Sequence, residues 1–71
     1  MSKLFSTKEI VKVLEYYKFY FVSQSGSHKK YKNYDGKVVI VPDNRKEMPH
    51  GTFKSISRQS GISEDDFKKY K

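Results

Sequence analysis

The 71-residue chain contains no cysteine and no tryptophan, and it has only two prolines, four glycines and two histidines. Without cysteine there is no disulfide framework, no thiol nucleophile and no Cys-type zinc site. His28 and His50 are then the only imidazoles available for proton transfer or metal binding. Acidic residues are also scarce: eight Asp and Glu stand against fifteen Lys and Arg, a formal charge of +7. Such a balance favours a partner that carries phosphates or carboxylates. Long hydrophobic runs are missing as well. The longest aliphatic one, Val38-Val39-Ile40-Val41, falls far short of the ~20 residues of a membrane helix. Met1-Ser2-Lys3-Leu4-Phe5-Ser6 leads into charged residues, not into the apolar stretch of a signal peptide. The expected setting is cytoplasmic, with no membrane partner. At roughly 100–200 residues per domain, residues 1–71 make one small domain. Its core is thin, so any chemistry rests on a few exposed side chains, and a two-domain cofactor enzyme is excluded.

What is present reads as a short α+β chain. Ser6-Thr7-Lys8-Glu9 has the form of a capping box. Ile10, Val13, Leu14 and Tyr17 follow at i, i+3, i+4 and i+7, which predicts a helix with one apolar stripe. From Phe19 the pattern turns β-branched and aromatic, predicting strands over 19–24, 27–34 and 37–41, with Ser25-Gly26 and Asp35-Gly36 as turns. Pro42 ends the third strand, and 43–50 reads as a polar loop. A helix is expected over 52–60, with Phe53 and Ile56 inward and Gly61 as its C-terminal cap. A last short helical turn follows Ser63, with Phe67 facing the core. The order α-β-β-β-α predicts a three-stranded antiparallel sheet with helices on one face and the other face free.

If Asp35-Gly36 is a two-residue hairpin loop, Tyr31 lies opposite Ile40, Asn33 opposite Val38 and Asp43 opposite His28. Alternation then sets His28, Lys30 and Lys32 in one row on the free face, about 7 Å apart. A lysine-rich strand is commonly a solvated edge whose charges discourage aggregation; the same row also suits a phosphate backbone. His28 has two readings as well. It is either a surface ring without a task or a proton carrier. In the second reading it takes the proton of an RNA 2′-hydroxyl or gives one to the leaving 5′-oxygen, and the lysines stabilise the phosphorane-like transition state. An Asp43 carboxylate opposite it would favour imidazolium and the acid role. His50, Gly51 and Thr52 at a helix start can hold a phosphate on free N–H groups; otherwise His50 is a helix-start residue with a free ring. Arg45, Lys46, Lys54 and Arg58 either extend the basic surface or are solvated charges. The six tyrosines are read mostly as core or half-buried, while an exposed one such as Tyr34 can stack on bases.

Three stretches together resemble the HicA family of toxin ribonucleases. They are Gln24-Ser25-Gly26-Ser27-His28, the later Val41-Pro42, and the run Gly51-Thr52-Phe53-Lys54-Ser55-Ile56-Ser57-Arg58-Gln59-Ser60-Gly61-Ile62-Ser63. The likeness covers nearly the whole chain, and it is the order and spacing of the motifs that make it specific. It implies a double-stranded-RNA-binding-like fold, cleavage of messenger RNA and neutralisation by a HicB-type antitoxin, with the family's catalytic histidine at His28. Two positions depart from the family pattern. Many members carry a second histidine shortly after the Val-Pro, where this chain has Asp43-Asn44, and the position of Ser57 is commonly apolar.

The leading reading is a metal-independent RNA-cleaving toxin without a cofactor. His28 is its general acid or base, Gly26, Ser27, Lys29, Lys30 and Lys32 bind RNA, and His50, Gly51 and Thr52 hold a phosphate. Internal attack by the 2′-hydroxyl lets so small a protein cut RNA, because the substrate brings its own nucleophile. A second reading is a non-catalytic RNA-binding module that grips an A-form backbone. A third is a DNA-binding helix-turn-helix, since Ile56 to Ser63 resembles the turn between such helices. Against the third stand three central strands and only ten residues after Gly61.

Overall fold

The capping box forms as its spacing predicts: Ser6 Oγ accepts from Glu9 N at 3.1 Å, and Glu9 Oε1 accepts from Ser6 N at 2.9 Å. This computed structural model describes residues 4–71. From the capping box starts α1 (Thr7–Tyr16), followed by β1 (Tyr20–Ser25), β2 (His28–Lys32), β3 (Val38–Pro42), α2 (His50–Ser60) and α3 (Glu64–Tyr70). The strands form one antiparallel sheet in the order β1-β2-β3. This is the α-β-β-β-α order of a double-stranded-RNA-binding-like fold, with α3 added at the end. Helices cover the sheet face that carries Tyr31, Val39 and Val41, all buried together with Ile10, Val13, Leu14, Ile56 and Phe67. The Phe5, Phe53 and Phe67 rings join α2 and α3 to the segment before α1, with centroids 4.7 to 6.3 Å apart.

The β2–β3 register differs by one residue from the two-residue loop expected at Asp35-Gly36. His28 pairs with Pro42, Lys30 with Ile40, Tyr31 with Val39 and Lys32 with Val38. The loop has three residues, because Asn33 N donates to Lys37 O and Asn33 Oδ1 accepts from both Asp35 N and Lys37 N at 3.1 and 2.9 Å. Gly36, at φ +87°, supplies the left-handed third position that such a loop requires. A one-residue slip moves every side chain of a strand to the other face. Val39 and Val41 therefore point inward, while Val38 and Ile40 lie on the open face. Tyr31 does not face Ile40, Asn33 does not face Val38, and Asp43 does not face His28.

A bulge at Val22 has a similar effect on β1. Phe21 pairs with Tyr31 and Ser23 with Lys30, so one residue is left over between them. Bulges re-aim the side chains that follow, and here Tyr20, Ser23 and Ser25 share the open face with β2's exposed row. Gln24 falls on the covered side, beside Lys29.

The loop after β3 is less polar in its role than in its composition. Met48 is fully buried and its N–H donates to Phe5 O at 2.6 Å. Thr7 anchors the same loop: its hydroxyl donates to Pro42 O at 2.8 Å and accepts from Arg45 N at 2.9 Å. α2 begins at His50, two residues before the expected start, and Gly61 closes it. The Ser57 hydroxyl donates to Ile62 O at 2.6 Å and ties α2 to the approach to α3.

Candidate active site and nucleic-acid face

His28 opens β2 directly after the turn at Gly26-Ser27, with Gly26 at φ +58°. A methyl group there would meet nothing within 4 Å, so the left-handed backbone is what calls for glycine. The turn is fixed from below, since Asp43 N donates to Ser27 O at 2.6 Å and Gln24 Nε2 donates to Gly26 O at 2.9 Å. His28 is thus held on a rigid strand with its side chain on the exposed face.

From there the ring reaches an open groove of about 360 Å³, lined by His28, Ile40, Pro42, Gly51, Thr52, Ser55 and Gln59. Its far wall is the face of α2 that runs from Gly51 to Gln59, held against the edge of β3 by Gln59, whose Oε1 accepts from Ile40 N at 3.1 Å. The groove therefore brings together two regions 23 residues apart, the His28 strand start and the Gly51-Thr52 helix start. Ser55 and Gln59 enter the sequence reading only as part of the family-like run and not as site residues, although Thr52, Ser55 and Gln59 stand at i, i+3 and i+7 and so mark one polar face of a helix. Gly51 has no packing reason for lacking a side chain, because a methyl there would also meet nothing within 4 Å.

The other site residues fall in different places. Lys30 and Lys32 continue the exposed row from His28 along β2. Lys29 lies on the covered side, where its Nζ is 3.2 Å from Asp43 Oδ1. Asp43 also accepts from Gln24 Nε2 at 3.0 Å. The Lys29 hydrogen bond holds its carboxyl below the usual aspartate value, with partial desolvation opposing and Gln24 assisting. The carboxylate expected beside His28 is thus committed to Lys29 and Gln24. The Lys29–Asp43 pair borders a second groove of about 460 Å³, between α1 and the loop after β3, which Lys8, Lys12, Glu15, Arg45 and Lys46 also line. His50 turns away from Gly51 and Thr52 into a small cleft with Leu4, Met48, Phe53, Glu64 and Lys68. It does not share the groove of His28. Among the described residues no three His, Asp or Glu side chains come together to hold a metal ion, and no helix is long and apolar enough to cross a membrane.

The family described as the HicA toxin of bacterial toxin-antitoxin matches residues 7–62, most of the chain. The chain belongs to the HicA toxin family. It is therefore the toxin side of a toxin–antitoxin pair, and the matched span runs from the start of α1 to the turn after α2, enclosing the whole His28 groove. A comparison with curated proteins finds no match. In this HicA-family toxin the Gly-Ser-His that enters β2, Pro42 at the end of β3 and the Gly-Thr of α2, far apart in the chain, all border one groove or the turn beside it.

Proposed function

We propose that this HicA-family toxin is a metal-independent endoribonuclease that cleaves messenger RNA in the groove between β2 and α2, with His28 as its proton carrier, and that it acts in the cytoplasm as one small domain. The observation that carries the reading is the shared groove: an imidazole on a rigid strand faces the first turn of a helix across an open channel. Free N–H groups and the positive dipole end make such a turn a phosphate cradle. Gly51 keeps it open and the Thr52 and Ser55 hydroxyls can donate to phosphate oxygens. With the scissile phosphate held there, the 2′-oxygen attacks phosphorus and the bond to the 5′-oxygen breaks, leaving a 2′,3′-cyclic phosphate and a 5′-hydroxyl. His28 takes the proton from the 2′-hydroxyl or delivers one to the 5′-oxygen. Lys30, next along the row, offsets the charge gathered on the equatorial oxygens. Gly26 and Ser27 supply the turn that aims His28, Lys32 continues the phosphate path, and Lys29 steers RNA from the covered side. His50 stands apart from this phosphate site. A HicB-type antitoxin neutralises the toxin by covering the groove or by setting carboxylates against the lysine row.

The test compares wild type with His28→Ala, first for growth after induction in a bacterial host, then for cleavage of RNA by each purified protein in EDTA. Loss of the proton carrier is expected to slow cleavage by about 10²–10⁴-fold and to abolish growth arrest, with the circular dichroism spectrum unchanged. An oligonucleotide with a single 2′-deoxy substitution at the cleaved position resists both proteins. Equal cleavage by the two proteins would remove His28 from the chemistry. Binding of RNA without cleavage by either would leave the binding-module reading.

A further inference from the structure

We propose that the Tyr20–Tyr34 pair is a base-stacking subsite for single-stranded RNA, on the same open sheet face as His28 and joined to it by Lys30 and Lys32. The inference rests on the reading of the His28 groove as an RNA-cleaving site. Cross-strand partners share a face, so the pairings set three rows on the open side: Ser25, His28 and Pro42; Ser23, Lys30 and Ile40; Tyr20, Lys32 and Val38. The His28 and Lys32 rows lie about 13 Å apart at the rise of a strand, a few nucleotides of extended chain. The ligand at the tyrosine end is thus a base away from the scissile bond.

Neither tyrosine is explained by the core. Tyr34 is 88% exposed and Tyr20 is 40% exposed, and their ring centroids are 5.3 Å apart at 43°. Turn chemistry does not call for Tyr34 either. The loop needs Asn33 to bind Asp35 N and Lys37 N, and Gly36 to take positive φ; its first position accepts almost any residue. A large apolar ring set there exposes area that water disfavours, while the Asn33 side chain fixes the turn that presents it. Beside the pair, Lys32 is exposed in the Tyr20 row, whereas the Lys37 ammonium lies at Gly61, the C-terminal cap of α2; one ammonium next to two rings suits a ligand that brings aromatic rings and phosphates together. Bases of single strands are free to stack on protein rings, whereas those of a duplex are not. The commitment is therefore to single-stranded RNA.

The experiment uses the full chain and two probes, the dinucleotide UpA and a single-stranded octaribonucleotide, with Tyr34→Ala and Tyr34→Phe variants. Affinity is read by fluorescence anisotropy on the octaribonucleotide carrying 2′-O-methyl groups throughout, which removes the attacking hydroxyls, and turnover as kcat/KM on both cleavable probes. Tyr34→Ala is expected to weaken octamer binding about tenfold and to lower octamer turnover alone, because UpA is too short to span from His28 to the pair. Tyr34→Phe keeps the ring face and stays within about twofold of wild type. Unchanged octamer affinity in Tyr34→Ala overturns the subsite, as does an equal loss on UpA and octamer. A variant that binds RNA normally but escapes its antitoxin overturns it too, by making the patch a protein-docking surface. If wild type cleaves neither probe, the cleavage reading falls while the anisotropy arm still decides the stacking subsite.

Discussion

At the scale of single residues, Asp43 shows how one contact redirects an electrostatic argument. Placed opposite His28, its carboxylate would have acted on the imidazole; in the structure it binds Lys29 at 3.2 Å and Gln24 at 3.0 Å on the other side of the sheet. Its carboxyl is held low in the native state, first by the Lys29 hydrogen bond. A lowered native value adds stability above the unfolded value, and this is lost as the pH falls through the native one. Asp43→Asn should therefore be less stable than wild type at neutral pH by a modest amount, since the pair is partly exposed. The gap should close as the pH drops through and below the ordinary carboxylate range. Urea midpoints of the two proteins at neutral and strongly acid pH check this, and a gap that stays constant across that range would refute it. The same variant should keep the pH profile of RNA cleavage, which an Asp43–His28 contact would have shifted. His28 and the Gly26 turn were legible in the sequence because they depend on neighbours in the chain. The partner of Asp43 was not, because it depends on a register settled elsewhere.

That register is decided at the scale of elements, by the side chain of Asn33. Hydrophobic period and capping residues located all three strands and both main helices, and Ser63 marked the third helix, capping it through Asp66 N at 3.1 Å. Asp-Gly signalled a hairpin but not its length, since Gly36 serves equally well as the second residue of a two-residue loop or the third of a longer one. β1's bulge had no local signal, and neither did the burial of Met48, which follows from the docking of its loop onto Phe5. The α2 start tests the site itself. Glycine within a helix costs up to about 1 kcal/mol relative to alanine, and at Gly51 no contact returns it. A local rule broken without structural reason is a mark of function. Gly51→Ala should accordingly raise stability by up to about 1 kcal/mol and at the same time reduce cleavage of RNA, because its methyl stands in the groove. Thermal unfolding and kcat/KM on one substrate measure both effects; a variant that is more stable and equally active would sever the helix start from the chemistry.

For the whole molecule the question is where a net charge of +7 meets RNA. Cations lie on both sides of the sheet: Lys30 and Lys32 on the open face, and Lys8, Lys12, Arg45 and Lys46 around the groove beside α1. If the overall charge alone drew RNA, removing any two lysines would have the same effect. If RNA runs along the open face, only contacts there release counterions, and for a single strand each contributes about 0.7 to the slope of log affinity against log salt. Lys30→Ala with Lys32→Ala should therefore flatten that slope by about 1.4. Lys8→Ala with Lys12→Ala removes the same charge from the molecule, yet should leave the slope nearly unchanged, because field effects beyond a Debye length of about 8 Å are screened at physiological salt. Titrating a non-cleavable single-stranded octamer across salt concentrations separates the cases. Equal flattening by both pairs would mean a diffuse cation with no preferred face, and a larger effect from the α1 pair would move the RNA path to the covered side.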